Sequence, residues 1–127
     1  MMRRISVANI VLVHQKLIDQ TGGSHGVRDI NLVESAINRA FATFDGNDLY
    51  EMTDDKIAAT TFALVNNHGF IDGNKRVGIA VMLLLLKLNG YTVQYSQEEL
   101  FLMGISIADG SMDELGIKEW IHQHKNF

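Results

Sequence analysis

The stretch His68-Gly69-Phe70-Ile71-Asp72-Gly73-Asn74-Lys75-Arg76 holds an imidazole, a carboxylate, a carboxamide and two cations within nine residues. It runs directly into VGIAVMLLLLKL, the most apolar run of the chain, which reads as a helix. Asn74, Lys75 and Arg76 therefore fall in a first helical turn. That end of a helix is partly positive and favours acids, each charge counting for roughly 0.3–1 kcal/mol. Two cations there break a local rule, and such breaks mark functional sites. An anion resolves the conflict. Gly73 can take φ > 0, so that the N–H groups of residues 73–76 converge on a phosphate. Asn74 suits the N-cap, or its side chain can reach the ligand instead. Lys75 and Arg76 stand about 100° apart around the helix, serving two phosphates of a polyphosphate better than one. Asp72 offers the hard oxygen that Mg²⁺ on phosphates requires. His68 can take a proton from a hydroxyl. The same residues also fit a plain surface turn, with solvated cations and a histidine that ends the preceding helix; by themselves they leave both readings open. The spacing is not that of a P-loop, and the carboxylates are too few for an EF-hand.

The elements that must hold this loop can be read from caps and periodicity. Ser6 caps a first helix to about Gln20, with Ile10, Val13, Leu17 and Ile18 on one face. After the break TGGSHG, a second helix is predicted from Asp29 to about Phe44, burying Ile30, Val33, Ile37 and Phe41. FDGNDLYEM then reads as a loop. Thr53 is expected to cap a third helix, with Asp54 and Asp55 at its positive end and Ile57, Phe62, Leu64 and Val65 inside. The fourth helix spans about Asn74 to Leu88 and stops at Asn89-Gly90. It is apolar nearly all round, so the others must surround it. Tyr91 to Tyr95 is an extended link. Ser96 with Glu99, and Ser111 with Glu114, read as capping boxes of a fifth and a sixth helix separated by Gly110. The expected fold is one all-α domain over residues 1–127, a compact six-helix bundle around a central apolar helix.

Composition supports a single globular core: 127 residues, 46% hydrophobic, 20% charged and no proline. A net charge of −4 argues against a protein held mainly by nucleic-acid phosphates. The absence of cysteine excludes disulfides, thiol nucleophiles and cysteine-ligated zinc. Arg3 and Arg4 precede an apolar stretch, but Asn9, His14, Gln15 and Lys16 interrupt it and no cleavage site follows. Val77 to Leu86 is too short for a bilayer, which takes about 20 residues. A cytoplasmic protein without a membrane partner is expected.

HGFIDGNKR resembles the signature of the Fic/Doc proteins, and Phe70 matches the aromatic that packs their loop onto the core. Lysine after the asparagine is the pattern of the death-on-curing (Doc) branch. Adenylylating relatives have glycine there and a second arginine where this chain has Ile79. GVRDINLVESAINRA, residues 26–40, is similar to a second segment of the Doc branch. The resemblance implies the following expectations. His68 is the general base, Asp72 binds Mg²⁺, and Gly73, Asn74, Lys75 and Arg76 hold the phosphates of ATP, with Lys75 and Arg76 counted in the catalytic set. The protein is a toxin of a toxin–antitoxin pair that phosphorylates elongation factor Tu. Its partner is an antitoxin whose C-terminal segment fills a groove beside the site. AMP transfer by the same fold and a catalytically silent binding module are the alternatives. The inhibitory string [S/T]-x-x-x-E-[G/N] of some Fic proteins does not occur here.

Other polar residues carry plainer expectations. His14 reads as a structural histidine and His25 as a solvated loop residue. His122 and His124 face different ways near a helix C-terminus, where the dipole accounts for them. Asp29 starts the second helix with Arg28 as its partner, and neither Arg28, Asp29 nor Glu34 is given a catalytic role. Asn66 and Asn67 end the third helix. Met103 and Met112 are filler of core or groove.

Overall fold

The computed structural model describes residues 2–126. Six helices occur among them: α1 Val7–Thr21, α2 Ile30–Arg39, α3 Thr53–Asn66, α4 Asn74–Leu88, α5 Gln97–Ala108 and α6 Glu114–His124. Two short antiparallel pairs accompany them, β1 Thr43–Phe44 with β2 Asn47–Asp48, and β3 Thr92–Val93 with β4 Lys125–Asn126. The all-α reading holds. No helix among the described residues is long and apolar enough to cross a membrane.

α4 has the predicted bounds and buries Val77, Gly78, Ile79, Val81, Met82, Leu85 and Leu86. It packs on α1, α3 and α5. α3 shares the centre. It buries residues from Asp54 to Val65 and touches α2, α4, α5 and α6. Its middle is small (Ala58, Ala59, Ala63), which lets neighbours come close. Gly78 completes that fit, since a Cβ there would lie 2.5 Å from Cγ2 of Val65. One apolar core runs through the described residues, from Met2 to Ile121.

Local signals place most helix starts. The Ser6 hydroxyl accepts the Asn9 N–H at 3.1 Å, Asp29 accepts that of Asn31 at 2.9 Å, and Ser96 with Glu99 forms the expected box. Four expectations are corrected. α2 ends at Arg39 rather than Phe44, because Asp45 and Gly46 both take positive φ (53° and 80°) and fold the predicted loop into the β1–β2 hairpin. Ile30 is 43% exposed rather than buried. Met52, not Thr53, is the N-cap of α3, its N–H held by Asp55. Asp113, not Ser111, caps α6, accepting the Gly116 N–H at 2.8 Å; Ser111 instead bonds Asp109 in the turn closing α5.

Asp54 does more than complement a dipole. It is fully buried and binds the Tyr91 hydroxyl at 2.7 Å, Lys125 at 2.7 Å and His122 at 3.2 Å. Burial raises its pKa, but hydrogen bonds from Lys125 and Tyr91 outweigh this and leave it lowered. His122 thus answers a specific acid, as does His124, whose Nε2 lies 2.9 Å from Glu99.

Tyr91 is pushed up to about 12, first by burial and then by donating to Asp54. A free phenol titrates near 10. The raised folded-state value makes this stabilisation complete below about pH 10, and it is lost as pH rises through about 12. Tyr91→Phe should cost about 1.5–3 kcal/mol at neutral pH, as for a bond to a charged group. Denaturant unfolding at rising pH should show the gap from wild type closing above about pH 10; a constant gap would refute the coupling.

Candidate active site

The loop between α3 and α4 is fixed at both ends by buried helices and in the middle by Phe70, which is 1% exposed. Asn74 locks it further. Its Oδ1 accepts the Phe70 N–H and its Nδ2 donates to the Phe70 carbonyl, both at 3.0 Å. Asn74 is therefore not the N-cap; Gly73 is, at φ 79°. The Asn74 carboxamide is thus engaged on the loop backbone, and its backbone N–H faces the start of the helix unbonded. Gly73 supplies no side-chain acceptor, and Val77 is the first residue whose N–H bonds back, to the Gly73 carbonyl at 2.9 Å. The N–H groups of Asn74, Lys75 and Arg76 thus lack a helical acceptor.

His68, Asp72, Gly73, Asn74, Lys75 and Arg76 all line one cleft of about 360 Å³, with Ala108 of α5 on its wall. His68 is exposed and takes φ 54°, a left-handed conformation that costs a non-glycine residue about 1–3 kcal/mol and persists where surroundings impose it. Lys75 is exposed, with no ion-pair partner among the described residues. Arg76 turns the other way. It donates to the Thr21 hydroxyl and to the Gly22 carbonyl (2.9 Å), and its Nη2 lies 3.9 Å from Asp72. The two cations do diverge.

Asp72 supplies the acid that the start of α4 calls for. Its carboxylate accepts the N–H of Ser24 at 3.0 Å and that of Gly73 at 2.8 Å. These two bonds, the Ser24 one first, hold its pKa below the usual carboxylate value, with help from Arg76 and His14. It is thus ionised at neutral pH, as a Mg²⁺ ligand must be. Among the described residues no cluster of three or more His, Cys, Asp or Glu could hold a metal. Asp72 fits a single hard ligand to an ion that otherwise keeps water and phosphate oxygens.

Three features escaped the sequence. His14 is buried, stacks on Phe70 with centroids 4.0 Å apart, and its Nε2 donates to the Asp72 carbonyl at 2.7 Å. It is structural as expected, but what it fastens is the loop. Arg28 does not partner Asp29; its Nε donates to the His68 carbonyl at 2.7 Å and its Nη2 to that of Asn67 at 3.4 Å. The segment around it runs beside the loop, with Val27 bridging Phe70 and the Ile71 N–H on the Gly26 carbonyl. His25 is exposed, with its Nε2 2.8 Å from the Asp19 carboxylate. Asn66 and Asn67 end α3, and Asn67 also reaches the Leu32 carbonyl and the Ser35 hydroxyl.

Asn74→Ala leaves both backbone groups of a buried residue unpaired. A loss of about 2–6 kcal/mol is expected, from about 1–3 for each of the two orphaned groups. Thermal unfolding measures it; a change within about 0.5 kcal/mol, as for an ordinary surface substitution, would refute the lock.

Comparison with known proteins gives the family. The chain is 42% identical over 69 residues to the toxin Doc of Mycolicibacterium smegmatis, covering 54% of this chain and about half (53%) of that protein. It is 28% identical over 125 residues to the protein kinase doc of Escherichia phage P1, covering 96% of this chain and 95% of the phage protein. The family description "Fic/DOC family" matches residues 4–86, which contain the whole loop and all of α1 to α3. This chain belongs to the Fic/Doc family.

Proposed function

We propose that the protein is the toxin of a toxin–antitoxin pair and transfers the γ-phosphate of ATP to a hydroxyl of a translation protein of the elongation factor Tu type, arresting growth. The observation that carries this reading is the joint placement of His68, the ionised Asp72 and the open first turn of α4 around one cleft. Likeness to the phage protein named a kinase, along nearly the whole chain, supports it.

In this reading the N–H groups of residues 74–76 and the side chains of Lys75 and Arg76 bind the phosphates. Phosphoryl transfer asks a protein mainly for positioning and charge neutralisation. His68, exposed on the cleft, removes the proton of the attacking hydroxyl. Asp72 would hold Mg²⁺, which neutralises phosphate charge when bound. The Ile79 side chain, 8% exposed, places no charge where adenylylating relatives have their second arginine.

A groove of about 480 Å³ adjoins the site, lined by Leu17, Ile79, Leu83, Leu100 and Phe101 from α1, α4 and α5, with Lys75 and Arg76 at its edge. It suits the apolar face of an antitoxin segment folded as a helix.

Incubation with ATP, Mg²⁺ and a bacterial lysate should add a phosphate-sized mass to one translation protein. An AMP-sized mass would overturn the kinase reading. His68→Ala should keep ATP binding and lose transfer by about 10²–10⁴-fold, while Lys75→Ala or Arg76→Ala should weaken ATP binding. Undiminished transfer by His68→Ala would remove His68 as the base, and full growth arrest by that variant would remove both enzymatic readings.

A further inference from the structure

We propose that Arg28 is a positioning residue that sets the orientation of His68 from outside the loop. The proposal rests on the reading of His68 as the proton acceptor. Its basis is how the Arg28-Asp29 dipeptide meets the backbone after α3. The Arg28 side chain donates to the carbonyls of Asn67 and His68 at 3.4 and 2.7 Å. The backbone N–H groups of Arg28 and Asp29 converge on the next carbonyl, Gly69, at 2.8 and 3.0 Å. Three consecutive carbonyls are thus held by two residues, and the middle one belongs to His68.

That position needs holding. His68 is the one member of the loop that combines side-chain chemistry with a left-handed backbone, and it is exposed. Such a residue relaxes unless its neighbourhood over-determines it. Beyond it, Asn74 grips both backbone groups of Phe70. Before it, Asn67 is tied to α2 through the Leu32 carbonyl and the Ser35 hydroxyl. Arg28 closes the remaining gap at the His68 peptide itself. With that peptide plane fixed, the Cα–Cβ direction is fixed, and the imidazole stays on the cleft side.

No ion pair explains Arg28 instead. No carboxylate pairs with it among the described residues, and the Asp29 carboxylate is taken by the Asn31 N–H. Its charge lies at the C-terminal end of α3, which favours a cation. A lysine would serve that purpose equally. The planar guanidinium fork meets two adjacent carbonyls in one fixed orientation, which an ammonium with freely rotating donors does not impose.

The test compares Arg28→Ala and Arg28→Lys with wild type, in ATP affinity, in kcat on purified elongation factor Tu, and in the NMR signal of the His68 imidazole, assigned with His68→Ala. Arg28→Ala should move and broaden the His68 signal while those of His122 and His124 stay in place. ATP affinity should hold within about twofold, and kcat should fall by about 10–100-fold, the range of a slight misplacement of a reacting group. Arg28→Lys should restore only part of the rate. An unmoved His68 signal in Arg28→Ala would overturn the proposal, and so would a moved signal with wild-type kcat, which marks a merely structural cap. Full rate in Arg28→Lys would overturn the two-carbonyl clasp. Wild type that transfers nothing would defeat the kinase reading on this acceptor, and the His68 signal alone would then decide for or against the clasp.

Discussion

α4 must be dry along most of its length and wet at its first turn, and this requirement orders the rest of the molecule. Residues Val77 to Leu86 offer apolar side chains in nearly every direction, so water can be excluded only by neighbours on several sides. α3 supplies the nearest, at a distance that Gly78 permits, and α1 and α5 cover further faces. Because α3 and α4 are both deeply buried, the chain between them cannot drift. Phe70 is drawn into the core with them, and what remains of the loop is presented at the surface.

The polar side chains in and around the loop divide into those that build it and those that it presents. Asn74, His14 and Arg28 are spent on backbone: they hold Phe70, Asp72, and the pair Asn67-His68. Asp72 does both, holding Ser24 and Gly73 while keeping an ionised oxygen near Arg76. His68 and Lys75 are left exposed to the cleft. A frame made of side chain to backbone bonds suits a site of this kind, because backbone groups cannot swing away as a second side chain can.

What could be read from the sequence follows from the range of each interaction. The bounds of α4 were legible because composition, a preceding glycine and a following Asn-Gly are all local, and so were the caps at Ser6, Asp29 and Ser96. The loop was legible as a possible site because its candidate residues, from His68 to Arg76, lie within nine positions. His14 and Arg28 act on it from 58 and 40 residues away, and no periodicity carries that information. The Asp54–Lys125 pair spans 71 residues and was hidden for the same reason. The end of α2 failed differently: the Asp-Gly turn signal was present, but a helical stripe continuing through Phe41 outweighed it. At α6, two acceptors two residues apart competed for one role, and spacing alone favoured the wrong one.

The left-handed backbone of His68 sets the direction in which this chain can decay. Glycine takes φ 54° without strain, so at this position the residue preferred by the backbone is one without a functional group. A lineage released from selection for the imidazole moves downhill in conformational energy by losing it. Inactive descendants of such a protein should therefore be well folded, abundant and resistant to proteolysis, and solubility in a cell will not separate them from the active form. Abundance therefore says nothing about whether the imidazole at position 68 has been kept.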